Sequence, residues 1–400
     1  MVFSIHLKEL GYMKNVETYY FLQEQIKVSL TILTILFISR YNMNGKTRVY
    51  RYKDFTVVES DGGKVLKSEN ANYSFNKKNG NMITWGKTHE EDAELFPGPT
   101  IADIEITTSC TGVDGVVCPF CYKSNNPNGK HMTLDTFKKV FEALPKTLTQ
   151  IAFGADSKAE TNPDTFAIMQ YARDNGVVPN ITVAQITDET ADKLASICGA
   201  VAISRYANKD ACYDSVKKLT DRGMNQINIH MMISEETFER ALETVKDISS
   251  DPRLSNLNAI VFLSLKTKGR GERFHALEQE KFNTLVSLCK EKEINYGFDS
   301  CSSLKFFHSL NDVEYEMYKG MIMPCESTLE SSYINVDAEF FPCSFTEGTE
   351  GWETGISVIE HKNFIENVWN SPRVYQFRNK LLATKSCNKF GCRECPIYKI

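Results

Sequence analysis

From residue 101 onward the chain repeats one pattern, a short apolar strand followed by an amphipathic helix, at a spacing near thirty residues. Candidate strands are 101–107 (IADIEIT), 150–153, 181–184, 200–204, 227–231, 259–263 and 294–298. The gaps between them hold helical patterns. Thr133 caps a helix with Phe137, Val140, Phe141 and Leu144 on one face, and Pro145 stops it. Another runs through Phe166, Ile168, Met169 and Tyr171 and ends at Gly176, and a third follows Ser234 with Phe238, Leu242 and Val245 on one side. Helix-length connections join strands in parallel, so about six such units predict an α/β fold with a parallel sheet closed or nearly closed into a barrel. In such barrels chemistry sits at the C-terminal ends of the strands.

The segment before that repeat reads differently. Residues 43–99 contain TRVYRY, FTVVES, ANYSFN and MITWGK, separated by DGG and KKNG turns, which predicts two small hairpins. Residues 1–42 are set apart by VSLTILTILFI at 28–38, eleven apolar residues, too few to span a bilayer. They are read as a peripheral extension outside the fold, with a membrane anchor as the alternative. The 46 basic and 51 acidic residues leave a net charge of −5, with no electrostatic footprint for nucleic acid or an anionic membrane. Twelve cysteines without a recognisable secretory leader point to a reducing compartment, read as cytoplasmic, and to metal work over a disulfide framework.

Three of those cysteines lie just past the first strand, in SCTGVDGVVCPFCY at 109–122. Cys110, Cys118 and Cys121 are spaced seven residues and then two, with turn-forming Gly112, Asp114, Gly115 and Pro119 between them. A loop of this kind can wrap three thiolates around one face of an iron–sulfur cluster and leave one iron open to an exogenous ligand. Packing explains one or two buried cysteines but not this density. Zinc is the stronger alternative, since Cys-x-x-Cys serves both metals, but a structural zinc wants a fourth ligand and His131 is the nearest. The loop after Phe153, the Ser204-Arg205 pair and LKTKGRG at 265–271 reach the same sheet end. A second group closes the chain: Cys325 and Cys343, separated by seventeen residues, then Cys387, Cys392 and Cys395, the last two forming Cys-x-x-Cys. This too is metal-ligand usage.

Over about residues 100–400 the chain resembles the radical S-adenosylmethionine enzymes. These carry three cysteines after the first strand of a partial (β/α)6 TIM-like barrel, commonly spaced three and then two, with an aromatic residue before the last, here Phe120. The seven-residue spacing departs from that form by enlarging the first part of the loop. The resemblance implies a four-iron four-sulfur cluster on Cys110, Cys118 and Cys121, with S-adenosylmethionine on the open iron. Phe153-Gly154-Ala155-Asp156 matches the glycine-rich turn and acidic residue that hold the cofactor's amino group, with alanine for one glycine and aspartate for glutamate. Ser204 matches a position that contacts ribose or carboxylate, and Leu265 is placed to pack on adenine; loop or core roles are the alternatives for all of these. The tail resembles the SPASM or shortened twitch extension that holds auxiliary clusters. It implies one auxiliary four-iron four-sulfur cluster on Cys325, Cys343, Cys392 and Cys395, with Cys387 spare or substituting. Ala338 stands where that extension usually has glycine, and zinc is the alternative for the tail.

Two further residues stand near the last strand. Cys301, in GFDSCSS, could donate a hydrogen atom and Asp299 could take a proton; a buried cysteine and a turn cap are the alternatives. Cys198, Cys212 and Cys289 are read as packing residues, and His230, His275 and His308 are given no role. The expected divisions are 1–42, a hairpin region at 43–99, the barrel at 100–300 and the cysteine-rich extension at 301–400. The resemblance implies hydrogen abstraction from a peptide or protein side chain, with a nucleotide or other small molecule as the alternative substrate, and electrons from a flavodoxin or ferredoxin. A zinc-stabilised binding module is the alternative of another class.

Overall fold

The computed structural model describes residues 2–5, 47–88, 91–93, 95–319, 322–384 and 393–398. Strand β1 (Val2–Ile5) comes first, then β2 (Arg48–Arg51), β3 (Phe55–Glu59), β4 (Gly63–Ser68), β5 (Asn72–Asn76) and β6 (Met82–Trp85). Strands β2 to β6 form one five-stranded antiparallel meander in sequence order. The expected two hairpins are thus joined by β4, whose Lys64 is buried beside Glu59 and donates to Leu148 O at 2.6 Å. Buried Tyr73 ties the meander to the main sheet through Thr149 Oγ1 at 3.1 Å.

The main body alternates strand and helix: β7 (Ile101–Glu105), α1 (Leu134–Ala143), β8 (Gln150–Gly154), α2 (Thr165–Asp174), β9 (Val178–Val183), α3 (Asp188–Ile197) and β10 (Ala200–Ser204). It continues with α4 (Lys209–Thr220), β11 (Ile227–Ile233), α5 (Phe238–Ile248), β12 (Ala259–Ser264), α6 (Gln279–Glu291) and β13 (Tyr296–Asp299). The helices start where side chains take up orphan amides, Thr133 from Thr136, Thr187 from Thr190 and Asn208 from Asp210 and Ala211. Their apolar faces pack on the sheet, with Phe137, Val140, Phe153, Ile168, Leu194, Tyr213 and Phe282 in one continuous core. Strands β7 to β13 are hydrogen-bonded in sequence order and all parallel, so their C-terminal ends lie along one edge of the layer.

Beyond β13 come α7 (Ser303–His308), α8 (Asp312–Tyr318), β14 (Ser331–Ile334), β15 (Glu339–Phe341), β16 (Ile356–Ser357) and α9 (Pro372–Ala383). β14 pairs in parallel with β7, and β15 and β16 follow it antiparallel, so the tail extends the same sheet. No break in that sheet falls at residue 300. The other edge corrects a second expectation: β1 pairs antiparallel with β13, Val2 opposite Asp299 and Ile5 opposite Tyr296, so part of the 1–42 segment joins the fold. The apolar run at 28–38 lies outside the described residues. Among the described residues no helix is long and apolar enough to cross a membrane.

Candidate functional site

Because β7 to β13 run in parallel, the loops after these strands emerge on one side. Past β7, the chain turns at Ile106 and enters the cysteine loop, held by an amide of Cys110 on Asn126 O at 2.9 Å and of Thr108 on Lys130 O at 3.0 Å. Gly112 is in the left-handed region, φ +72°, and a Cβ there would meet Val116 O at 2.0 Å. Cys110, Cys118 and Cys121 are all half-buried, and none is in a disulfide. Cys118 and Cys121 share a thiol hydrogen bond, which raises the pKa of Cys118 and lowers that of Cys121, and Cys110 lies within electrostatic reach of Cys118. Burial, with Asp156 adding to it, pushes Cys110 up to about 11. Backbone amides face two of the sulfurs, Gly112 and Ser157 at Cys110, and Asn125 and Lys123 at Cys121. The structure thus pairs Cys118 with Cys121 and leaves Cys110 on the same loop within electrostatic reach. Among the described residues no three His, Cys, Asp or Glu side chains are grouped to hold one metal ion.

Asp156, past β8, is buried and turned into this loop. Its Oδ2 accepts from Thr111 N at 3.2 Å, Thr111 Oγ1 at 3.3 Å and Thr161 Oγ1 at 2.6 Å, and its Oδ1 accepts from Ser157 N. Burial opposes its charge, but these donors and the Cys110 thiol outweigh it and lower its pKa. The sequence placed Asp156 at the mouth for a cofactor contact; the structure adds that it orients Cys110. Gly154 pairs with Glu105 in the strand register, and a Cβ there would stand 3.5 Å from Glu105 Cα, an ordinary contact. Phe120 lies with Tyr206 and Phe274, ring centroids 5.8 Å away in each case. Ser204, the last residue of β10, shares a hydrogen bond with the Tyr206 hydroxyl, so Phe120 and Ser204 meet around one ring. Leu265 is buried, and its amide donates to Ile233 O at 3.2 Å.

Three residues unassigned from the sequence hold the mouth together. Arg270, from the LKTKGRG stretch, donates from Nε to Cys118 O at 3.1 Å and from Nη1 to Asn125 O at 3.0 Å, while its amide meets Cys121 O at 3.0 Å. Lys123 pairs with Glu105 at 3.3 Å and with Glu347, and reaches Tyr333 Oη at 3.0 Å. Lys266 is buried against Asp299 Oδ2 at 2.5 Å. The signal for the two from 265–271 was the position of that stretch past a late strand; Lys123 had only its place beside Cys121.

The tail cysteines come to the same side. Cys343 follows β15 and is pushed up to about 11 by burial, with the amides of Phe345 and Thr346 facing its sulfur. Cys325 is raised by burial and then by Cys301, and the Ser327 amide faces it. Cys395 accepts Tyr398 N at 3.3 Å and lies within electrostatic reach of Cys343. Cys387 and Cys392 lie outside the described residues. Tyr122 meets Phe345 at a tilt of 56°, centroids 4.6 Å apart, linking the first loop to the second group. Cys301 is half-buried, and burial raises its pKa. Cys198, Cys212 and Cys289 are buried in the core, as expected.

This arrangement of strands and helices has known counterparts. No protein-family model matches the chain, and no curated protein does. Solved structures do. Streptococcus suis SuiB bound to precursor peptide SuiA superposes with a TM-score of 0.61 at 12% identity, covering 79% of this chain and 89% of that one. SuiB bound to S-adenosylmethionine gives 0.58 at 14% identity, covering 74% and 72%. The fold is similar to that of SuiB. At this identity the likeness establishes the arrangement of strands and helices, mixed α/β around a large parallel sheet, and no single residue's role.

Proposed function

We propose that this protein is a radical S-adenosylmethionine enzyme that modifies a peptide or protein side chain, with a partial barrel and a SPASM- or twitch-like tail. The observation that carries the reading is the placement of Cys110, Cys118 and Cys121 on one loop past β7, at the C-terminal edge of a parallel sheet whose fold is similar to that of SuiB. Each thiolate of a four-iron cluster bonds a different iron, so the three sulfurs need not surround one point. Amides facing the Cys110 and Cys121 sulfurs suit thiolate ligands, because hydrogen bonds to sulfur tune such clusters. When bound, the cluster and S-adenosylmethionine supply reductive cleavage of the sulfonium bond to the 5′ carbon, giving methionine and a 5′-deoxyadenosyl radical.

The chain's own residues set that chemistry in place. Asp156 orients Cys110, and Arg270 fixes the carbonyls of Cys118 and Asn125. Phe120, Gly154, Asp156, Ser204 and Leu265 are the candidate cofactor contacts; Phe120 comes from the cysteine loop, and the others lie at or just past the C-terminal ends of β8, β10 and β12. The tail's Cys325, Cys343 and Cys395, with Cys387 and Cys392 in the same segment, are assigned an auxiliary cluster. The peptide in the SuiB complex supports a peptide substrate for this chain. Electrons come from a flavodoxin or ferredoxin in the cytoplasm. The test replaces Cys110, Cys118 and Cys121 together with alanine. One cluster's worth of iron and all cleavage of S-adenosylmethionine are expected to disappear, and 5′-deoxyadenosine from the triple variant would sink the assignment.

A further inference from the structure

Two buried carboxylates stand at the ends of β7 and β8, and the fold uses them differently. Asp156 is occupied by the protein: Oδ2 accepts from Thr111 N, Thr111 Oγ1 and Thr161 Oγ1, and Oδ1 accepts from Ser157 N. A carboxylate offers about four lone-pair sites, and four donors fill them. Ser157 is tied to the same loop, its Oγ donating to Gly112 O at 2.6 Å. Glu105, the last residue of β7 and only 6% exposed, is the opposite case. Its Oε1 stands 3.3 Å from Lys123 Nζ, while Oε2 is buried and accepts from no donor among the described residues. Lys123 is shared with Glu347 and Tyr333 Oη, and Lys268 Nζ is turned to the carbonyls of Glu347 and Phe345. A buried carboxylate oxygen without a donor is costly, and it marks a place where a ligand can supply one. Gly154 lies directly opposite Glu105 in the strand register. Ile104 and Phe153 beside them belong to the core under the helices, so Glu105 and Gly154 share the other face of the sheet. Gly154 is exposed, and the nearest atoms to a Cβ built on it are Glu105 Cα at 3.5 Å, Ile104 O at 3.7 Å and Glu105 Cβ at 3.9 Å, which leaves room beside the carboxylate.

We propose that Glu105, and not Asp156, is the acid that accepts an N–H of the S-adenosylmethionine amino group, in the room beside Gly154, while Asp156 is a positioning residue that pins the cysteine loop to β8. The proposal rests on the reading that this mouth binds S-adenosylmethionine, and it narrows the set of cofactor contacts given above. The terminal torsion of a glutamate is broad and roughly two-fold, so Glu105 can turn one oxygen to that room and keep the other on Lys123 at little cost. Asp156 has no such freedom, because each turn of its carboxylate gives up a bond to Thr111, Thr161 or Ser157. Lys123 reaches Glu347 as well, so the contact to the amino group and the tail share one ammonium.

The test is equilibrium binding to the full chain, reconstituted without oxygen and kept free of reductant, with iron counted in each sample. Two probes are compared: S-adenosylmethionine and its deaminated analogue, which keeps the sulfonium and the carboxylate. Glu105→Gln keeps the volume, but its amide oxygen turns to Lys123 and leaves an NH2 facing the amino group. It is expected to load wild-type iron and to bind S-adenosylmethionine roughly ten- to a hundredfold more weakly, with the affinity for the analogue unchanged. Glu105→Asp, which draws the carboxylate back by one methylene, is expected to shift the two affinities in the same way. Gly154→Ala leaves Glu105 and its partners intact and fills the room beside them, so it too is expected to weaken S-adenosylmethionine. Asp156→Asn is expected to retain less iron, while its loaded fraction binds S-adenosylmethionine as the wild type does. Wild-type affinity in Gly154→Ala and in the iron-loaded Glu105 variants would overturn this inference alone, as would a lost preference for the amino compound in iron-loaded Asp156→Asn. A wild-type protein that holds its iron and binds neither probe would instead overturn the reading of the mouth.

Discussion

Arg270 offers the most direct mechanical test of the mouth. Its guanidinium spans two carbonyls of the cysteine loop, Cys118 O at 3.1 Å and Asn125 O at 3.0 Å, from a stretch 145 residues or more away in sequence. Arg270→Met keeps the stem and removes both bonds. Hydrogen bonds from a charged donor contribute roughly 1.5–3 kcal/mol each, so two give an upper figure of about 6. Retained packing of the stem and partial exposure of the site bring the expected loss to about 3 kcal/mol. Nη2 is buried with no partner among the described residues, so the native state already carries one unsatisfied donor there that methionine removes. A loss of about 3 kcal/mol confined to one loop raises its opening equilibrium roughly a hundredfold without unfolding the protein. Amide hydrogen exchange over 118–125 reads this, alongside iron retained after gel filtration. Arg273→Met is the control, since exposed Arg273 makes a single long contact with Pro119 O at 3.4 Å. Wild-type exchange in Arg270→Met would refute the reasoning, because the loop would then hold without its clamp.

Two other outcomes rest on single residues. Glu330 is buried and accepts from Thr100 Oγ1 at 2.9 Å; burial raises its pKa from 4.5 to about 7. The native state therefore binds this proton more tightly than the unfolded chain, so its contribution is fully present below pH 4.5 and is lost as pH rises through 7. The shift corresponds to roughly 3 kcal/mol, and Glu330→Gln is expected to flatten the fall in melting temperature over that window; an unchanged slope would contradict it. Gly112→Ala forces a side chain into the left-handed region with Val116 O 2.0 Å from its Cβ. It is expected to lower iron at the first site with little change in circular dichroism, and full iron loading would show that the loop does not need this turn.

Much of the sheet was readable because parallel strands buried on both faces carry continuous apolar runs, as in AIVFLS of β12. β9 begins three residues before the apolar run that marked it, because Pro179 in its second position argues against a strand by itself. There Pro179 keeps a role through its carbonyl, which accepts from Gly199 N at 2.9 Å. β4 was hidden by Lys64 and Lys67, since a buried lysine is legible only once its partner Glu59 is placed. β14 was hidden by its polar SSYI and by a partner strand, β7, some 230 residues earlier. The cysteine loop was legible because its three cysteines are neighbours in sequence. The tie of Lys123 to Glu347 was not, since spacing carries no information about residues joined only by the folded sheet. Asp156 shows the same limit: its place at the strand end was foreseeable, but its engagement with Thr111, Thr161 and Cys110 depends on how two loops meet.

The central claim is that the mouth of this sheet generates a radical from S-adenosylmethionine. The most direct measurement is 5′-deoxyadenosine formed by anaerobically reconstituted wild-type protein with S-adenosylmethionine and a chemical reductant, beside its metal content. The account predicts a brown iron–sulfur protein that releases 5′-deoxyadenosine and methionine in equal amounts, dependent on reductant. A colourless protein that carries zinc and leaves S-adenosylmethionine intact would contradict it.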